Sequence, residues 1–401
     1  MYITANRLEL LAAAKDAERI APANSPLDVM KCTFLATENG KLTVAATNLE
    51  IAMERRIPVT IHEDGSVVIG ADLLTSMLKL LDGDTVSIRK ESKEFFSVAS
   101  GQTAYSVSVL DAGSYPRMEI PFPEDTVPVT GIPAMAKRTC FAASKEEEKP
   151  EMRCVHLVFS DDGLRAVSSD GYRIAAAKGD SKATGAVDML IPAASLEKLA
   201  QLVSGKETLR VGTTGKTIVF FKDDFTFSAR LMEGRYFDAD ALMGRVKPSF
   251  SVLTNSDLLK QAISSVYSVT GKQNRFCITF SGSRMRMRCE SEFGTSATEM
   301  DVLPLTGTPA GEYWYNSAKL VECLQAQSGT LILELAQNGA LLMRTDELIC
   351  MQLATREPKP IEIKQKKAKH GEAKPSDSGE KVAPKLGQKK KKTDAGLPEA
   401  A

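Results

Sequence analysis

One segment of the 401-residue chain is shaped for phosphate chemistry, Gly212-Thr-Thr-Gly-Lys-Thr217. A phosphate-cradling loop of the G-x-x-x-x-G-K-[ST] type needs glycine at 210, where Arg210 stands. The segment also lies between strand-like Leu209–Val211 and Ile218–Phe221 and opens no helix, so a hairpin turn is expected. Acidic pairs at Asp161-Asp162, Asp223-Asp224 and Asp238-x-Asp240 have the donor type for a divalent metal, but the first two sit at turns beside strands, where carboxylates are normally solvated. His62, His156 and His370 are too scattered to build a Ser/His/Asp or Cys/His set. Seven cysteines contain no C-x-x-C pair, which argues against zinc and disulfides and for buried reduced thiols. The expectation is no catalytic residue, no metal site and no cofactor.

Charge and composition narrow the class. Lys+Arg and Asp+Glu are 51 each, and 43% of residues are hydrophobic, a soluble globular composition with material for two to four domains. No apolar run approaches the roughly 18–20 residues a bilayer requires, and the start of the chain lacks a signal-peptide layout, so a cytoplasmic protein is expected. The neutral total hides an asymmetry. From Pro358 onward twelve lysines face six acids, a net +6, which leaves −6 on residues 1–357. That tail lacks aromatics and is expected to be disordered, either a solubilising extension or a loose tether to nucleic acid.

The elements that would position any site recur. A helix with apolar residues at Leu74, Met77, Leu78 and Leu81 returns at Leu196, Leu199, Ala200 and Val203, and again at Leu320, Cys323 and Leu324. Strand-like endings follow each, at Tyr105–Leu110, Phe225–Leu231 and Leu348–Leu353. Upstream, Leu42–Glu50 matches Leu164–Tyr172 with Thr47 and Ser169 122 positions apart, and Met285–Glu292 is a looser third copy. Opening helices are predicted at Arg7–Ile20, Ile132–Ser144 and Ser256–Val269, the last behind a Ser/Asp cap. The fold class is α+β: three tandem domains over 1–122, 123–246 and 247–357, each with two helices on antiparallel sheets and its own core, followed by the tail 358–401. Unpaired strands at both ends of such an array favour a closed or arched assembly. The alternation Arg284-Met-Arg-Met-Arg288 reads as a half-buried strand with one polar face.

The threefold plan, Thr47-Asn-Leu-Glu50, Ser169-Asp-Gly-Tyr-Arg173, Leu231-Met-Glu-Gly-Arg-Tyr-Phe-Asp238 and Asp257-Leu-Leu-Lys-Gln-Ala262 together resemble the bacterial sliding clamps, the β subunit of DNA polymerase III, over about residues 1–357. The resemblance implies a clamp-type fold forming half of a closed homodimeric ring of six domains, helices lining the hole and sheets outside. Such a ring encircles double-stranded DNA without reading sequence and tethers the replicative DNA polymerase, while a separate clamp loader handles ATP. A ring that slides must touch phosphates weakly and read no bases, so retention comes from topology.

Three sets of residues follow from the resemblance. DNA-facing cations on the helices would be Arg7, Lys15, Arg19, Lys79, Lys137, Arg138, Lys198, Lys260 and Lys319, with Asn24 where a loop arginine is common. A cleft for short apolar peptides from polymerase, loader and repair proteins maps to Met152, Ser169, Gly171, Tyr172, Arg173, Ile174, Phe237, Leu242, Ile349, Cys350, Met351 and Leu353. It departs from the family pattern at Tyr172 (histidine common), Phe237 (proline), Ala241 (a basic residue) and Gln352 (proline), so an altered peptide preference is expected. The homodimer contact would set Tyr105 and Val107 against Val266, Tyr267 and Val269 of a second copy. Two alternatives stay open in the sequence: a metal-dependent nucleic-acid or phosphate enzyme using the turn aspartates, and a mobile-element clamp paralogue with altered partners.

Overall fold

The computed structural model describes residues 1–146, 148–179, 181, 187–268, 275–291 and 294–357, and the basic tail lies outside them. One succession of elements runs through the chain three times. The first copy is β1 (Tyr2–Asn6), α1 (Arg7–Ile20), β2 (Cys32–Glu38), β3 (Lys41–Thr47), β4 (Ile51–Glu63), β5 (Ser66–Gly70), α2 (Ala71–Leu80), β6 (Thr85–Lys90), β7 (Phe95–Ser100) and β8 (Thr103–Ser108). The second is β9 (Val127–Val129), α3 (Ile132–Thr139), β10 (Cys154–Ser160), β11 (Gly163–Ser169), β12 (Arg173–Gly179), β13 (Val187–Pro192), α4 (Ala193–Leu202), β14 (Leu209–Thr214), β15 (Thr217–Lys222) and β16 (Phe225–Arg230). A short helix, α5 (Ala239–Gly244), lies in the connection to the third copy. That copy is β17 (Pro248–Asn255), α6 (Ser256–Tyr267), β18 (Arg275–Ser281), β19 (Arg284–Ser291), β20 (Gly294–Asp301), an added β21 (Leu303–Thr306), β22 (Ala310–Asn316), α7 (Ser317–Gln325), β23 (Thr330–Ala336), β24 (Leu341–Arg344) and β25 (Leu348–Gln352).

The helices pack as pairs, α1 with α2, α3 with α4 and α6 with α7. Two pairs are tied in the same way, because the first amide of one helix donates to a carbonyl beyond the end of the other: Arg7 to Asp84 and Ser256 to Gly329, both at 2.8 Å. Their caps match as well. The Asn6 carboxamide accepts from Leu8 and Glu9, and that of Asn255 from Asp257 and Leu258. The cap of α6 is therefore Asn255, one position before the Ser/Asp pair read from the sequence, since its oxygen reaches two otherwise orphaned N–H groups. The helix expected over Ile132–Ser144 ends at Thr139 and tightens into a 3-10 turn at Cys140–Ala142.

The repeats fuse edge to edge. Strand β4 of the first pairs antiparallel with β16 of the second (Met53 opposite Phe227), and β12 of the second with β25 of the third (Ala175 opposite Cys350). Sheets of twelve and nine strands result, with a third sheet in the order β20-β19-β18-β22. The separate cores expected for each copy are consequently one apolar cluster, running from Ile3 and Leu10 through Phe220 and Phe227 to Phe276 and Tyr315. The glycine-rich segment is the β14–β15 hairpin, turning at Gly215 with φ 56°. Gly212 has a packing reason: a Cβ there would sit 2.4 Å from the Asp125 carbonyl of the first inter-repeat connection. The Arg284–Arg288 alternation is β19, with Met285 and Met287 buried and Arg284, Arg286 on the outer face with Glu299.

Candidate partner-binding cleft

The cleft is built on a tight turn that occurs twice. After β3, the Thr47 hydroxyl donates to the Ile51 carbonyl and accepts from Leu49 N–H, while Asn48 accepts from Glu50 and Ile51. After β11, Ser169 donates to the Arg173 carbonyl and accepts from Gly171 N–H, while Asp170 accepts from Tyr172 and Arg173. The residue in the left-handed conformation is Leu49 (φ 73°) in one and Gly171 (φ 84°) in the other. Behind the turns, Thr47 N–H donates to Tyr115 Oη at 3.1 Å, and the Ser169 amide lies against the Tyr236 hydroxyl, 121 positions on. Burial pushes both phenols above their ordinary range.

Around the second turn lies a cleft of about 770 Å³. Met152, Ser169, Gly171, Tyr172, Arg173, Ile174, Phe237, Leu242, Met351 and Leu353 all line it, ten of the twelve positions mapped from the sequence. Behind its wall lies a satellite apolar cluster in which Ala239 and Met243 of α5 pack on Val167, Ile174, Leu342 and Met351, with the Tyr236 and Phe237 rings tilted against each other at 4.6 Å. Leu353 N–H donates to the Tyr172 carbonyl, fixing the exposed Tyr172 and Leu353 at the mouth. The cleft thus combines apolar anchoring surface with a few polar groups.

Two positions are corrected. Cys350 is fully buried and points to the opposite face of β25 from Met351, as alternation along a strand demands; burial pushes its thiol well above the usual range. Ile349 shares the Met351 face but lies further along the strand, in a smaller cavity of about 210 Å³ beside Arg165 and Asp240. The sequence reading also missed Arg245, Val246, Lys247, Ala336, Gln337, Asn338 and Ala340. Asn338 was within reach of the repeat, since it lies 122 positions after Lys216 in the equivalent hairpin turn.

Arg173 is 5% exposed and ties the cleft wall to the helices. It pairs with Asp170 at 3.1 Å and Glu322 at 2.6 Å, donates to the carbonyls of Lys319 and Phe141, and lies over the Phe141 ring. Lys319 pairs with Asp170 and sits 5.1 Å over the Tyr172 ring, so this cation faces the cleft network and is corrected from the DNA-facing set. Others of that set are engaged too. Arg7 donates to the Gly83 and Leu78 carbonyls, Lys260 pairs with Asp257 and reaches the Gln327 carbonyl, and Lys198 donates to the Arg19 carbonyl. Arg19 pairs with Asp16, and Arg138 with Glu347. Lys15, Lys79 and Lys137 carry no ion pair among the described residues, and Lys79 and Lys137 are exposed. Of the turn aspartates, Asp224 pairs with Lys41 and Asp240 with Arg165, and among the described residues no group of three metal-capable side chains converges.

The first 119 residues match the family model of the DNA polymerase III beta subunit N-terminal domain, and residues 126–238 that of its central domain. This chain belongs to the DNA polymerase III beta subunit family, the sliding clamps. It is 23% identical over 291 residues to the beta sliding clamp of Bacillus subtilis, covering 68% of this chain and 76% of that one. To the Escherichia coli K12 beta sliding clamp it is 24% identical over 286 residues, covering 69% and 76%. The solved B. subtilis clamp superposes with a TM-score of 0.82 at 18% identity, and the Thermotoga maritima beta subunit with 0.81 at 16%; each covers 89% of this chain and 100% of the other.

In this clamp chain the expected dimer residues are only partly where the sequence put them. Tyr105 and Val107 are half-buried on β8, the edge of the twelve-stranded sheet. Val266 is fully buried: with Leu259 and Ile263 it forms the inward stripe of α6, so it cannot face a second copy and is corrected. The Tyr267 side chain and Val269 lie outside the described residues.

Proposed function

We propose that two copies of this chain close head to tail into a ring around duplex DNA and hold the replicative polymerase to its template by binding alone. The support is in the junctions. Strands β4, β12 and β20 occupy the same place in successive repeats, as do β8, β16 and β25. Within the chain β4 joins β16 and β12 joins β25; the members left over are β20 and β8, each at the edge of its sheet. Pairing β20 of one copy with β8 of the next would repeat the internal junction and remove two exposed edges, which monomers otherwise leave open to aggregation. The helix cations then serve as weak phosphate contacts, with Lys15, Lys79 and Lys137 the most available. The cleft takes short apolar peptide segments of the polymerase, the clamp loader and repair proteins.

Native mass measurement together with loader-dependent retention on nicked circular DNA tests the proposal. A dimer that stays on circles and leaves once they are linearised is expected. A monomer, or equal retention on both DNAs, overturns the ring. Tyr105→Glu on β8 should raise the dimer dissociation constant on the order of a hundredfold.

A further inference from the structure

The turn at the cleft and its counterpart at the first junction make the same hydrogen bonds, but only the one at the cleft is built on a charge. In the first, the Asn48 side-chain oxygen accepts from Glu50 and Ile51, and its other terminal atom is an amide nitrogen, which cannot hold a cation. In the second, Asp170 uses Oδ1 in the same way for Tyr172 and Arg173. Its Oδ2 is left for two cations, Arg173 Nε at 3.1 Å and the Lys319 ammonium. Lys319 stands on α7 just before the buried Leu320, and the place before the equivalent Leu196 of α4 is taken by the buried Ser195. The turn therefore forms without a lysine beneath it. What the lysine adds is a contact toward the cleft: its ammonium lies 5.1 Å over the Tyr172 ring, at the position where the first turn carries Glu50.

We infer that Lys319, which does not itself line the cleft, is a positioning residue for peptide binding: held by Asp170, it fixes the Tyr172 ring as a ready-made wall. This rests on the peptide-cleft reading above and adds a residue that acts on the cleft from outside it. Tyr172 lines the cleft and is 61% exposed, whereas Lys319 and Asp170 are absent from the lining. The Tyr172 backbone is anchored, its N–H on Asp170 and its carbonyl accepting from Leu353, but an exposed ring changes rotamer freely unless a side chain holds it. A cation over one face supplies that hold and leaves the other face and the edge for an occupant. The peptide then meets an ordered wall and is spared the cost of ordering it.

The test is a double-mutant cycle in the full chain, read by anisotropy of a fluorescein-labelled heptapeptide with Leu and Phe anchors. K319M keeps the aliphatic stem and removes the charge, while Asp170 retains Arg173, so the turn stays formed. It should weaken the peptide about fivefold, the size of a cation–ring contact at a partly exposed site, and K319R should restore the affinity to within about twofold. In the Y172L background, which keeps an apolar wall without a ring, K319M should change nothing; in Y172F, which keeps the ring, the fivefold loss should return. An unchanged affinity in K319M, or the same loss in Y172L as in Y172F, overturns the inference and leaves the cleft reading in place, because a lysine that only supports the fold weakens both backgrounds alike. Absence of peptide binding by the unaltered protein overturns the cleft reading and the inference with it. K319Q carries the same expectations as K319M and decides where urea unfolding shows that K319M does not fold.

Discussion

The two internal junctions of this clamp share a scaffold and differ in what leans on it. Both join a middle strand of one repeat to the last strand of the next, and both carry the same hydroxyl-and-carboxamide or carboxylate turn beside the seam. At the first, the connection to the next repeat packs Tyr115 on Phe34 and adds a charge clamp that the second lacks: Arg117 bonds Glu38 and Glu54 and lies over the Phe34 ring. At the second, the connection coils into α5 and packs Ala239 and Met243 on Ile174 and Met351. The flanking cavities follow suit, about 480 Å³ with both charge signs in its lining at the first junction and about 770 Å³ without an acid at the second. On equivalent strands, the two cavities thus differ with the connecting segment and with the turn residues, among them Leu49 against Gly171 and Glu50 against Tyr172.

The comparison breaks most sharply at Arg173. Replacing it by alanine removes its ion pairs with Asp170 and the part-exposed Glu322, its hydrogen bonds to the Lys319 and Phe141 carbonyls and its cation over the Phe141 ring, so a loss of about 3 kcal/mol is expected in urea unfolding from the charge-assisted hydrogen bonds of a buried side chain. Arg117→Ala at the first junction removes pairs with the part-exposed Glu38 and with the buried Glu54, which keeps Arg56, and should cost about 1 kcal/mol. Equal losses would mean that the two junctions are anchored alike. Next in size, Leu353→Ala should weaken binding of an apolar peptide by about 2 kcal/mol with little change in unfolding, because Leu353 is a partly exposed wall of the cleft. The corresponding Leu231→Ala at the first junction should leave peptide affinity untouched.

Smaller still is the turn residue itself. Leu49 holds φ 73° with its side chain in solvent, a conformation that costs a side-chain-bearing residue about 1 kcal/mol, so Leu49→Gly should stabilise by up to about that amount. Gly171→Ala should lose a similar amount at φ 84°, although open space surrounds the added carbon. Opposite signs in thermal unfolding are the expected outcome; the same sign at both positions would show that the turns are not equivalent.

How much of this was legible beforehand depended on whether the signal was periodic. The helix α1 was read to its exact ends, and the strand endings to within two residues, because alternation and helical spacing are local and occur three times. Ten of the cleft positions implied by the family resemblance line the cavity; Cys350 does not, because alternation along β25 between Ile349 and Met351 turns its thiol away, and Ile349 lies too far along the strand. Val266 failed for the same reason on a helix, being the i+7 partner of Leu259. The engagement of Lys319, Lys260 and Arg7 was not legible at all, since their partners Asp170, Gln327 and Gly83 are brought close by tertiary packing across 149, 67 and 76 positions. Arg245 and Lys247 were invisible because the wall they stand on exists only once α5 forms.

The gentlest probe of the junction difference is acid. A hydrogen bond from Arg117 holds the Glu38 carboxyl below its usual range. A carboxyl lowered in the folded state contributes stability that is complete above its unfolded value of about 4.5 and is lost as pH falls through the lower folded value. The difference in midpoint temperature between the unaltered protein and Glu38→Gln should therefore be constant from pH 7 to pH 6 and shrink toward zero only as the pH falls below about 4.5. Such a shrinking difference ties the first connection to charge. A difference that persists undiminished in acid would mean that Glu38 acts through packing, and the charge clamp that sets the first junction apart from the second would fall.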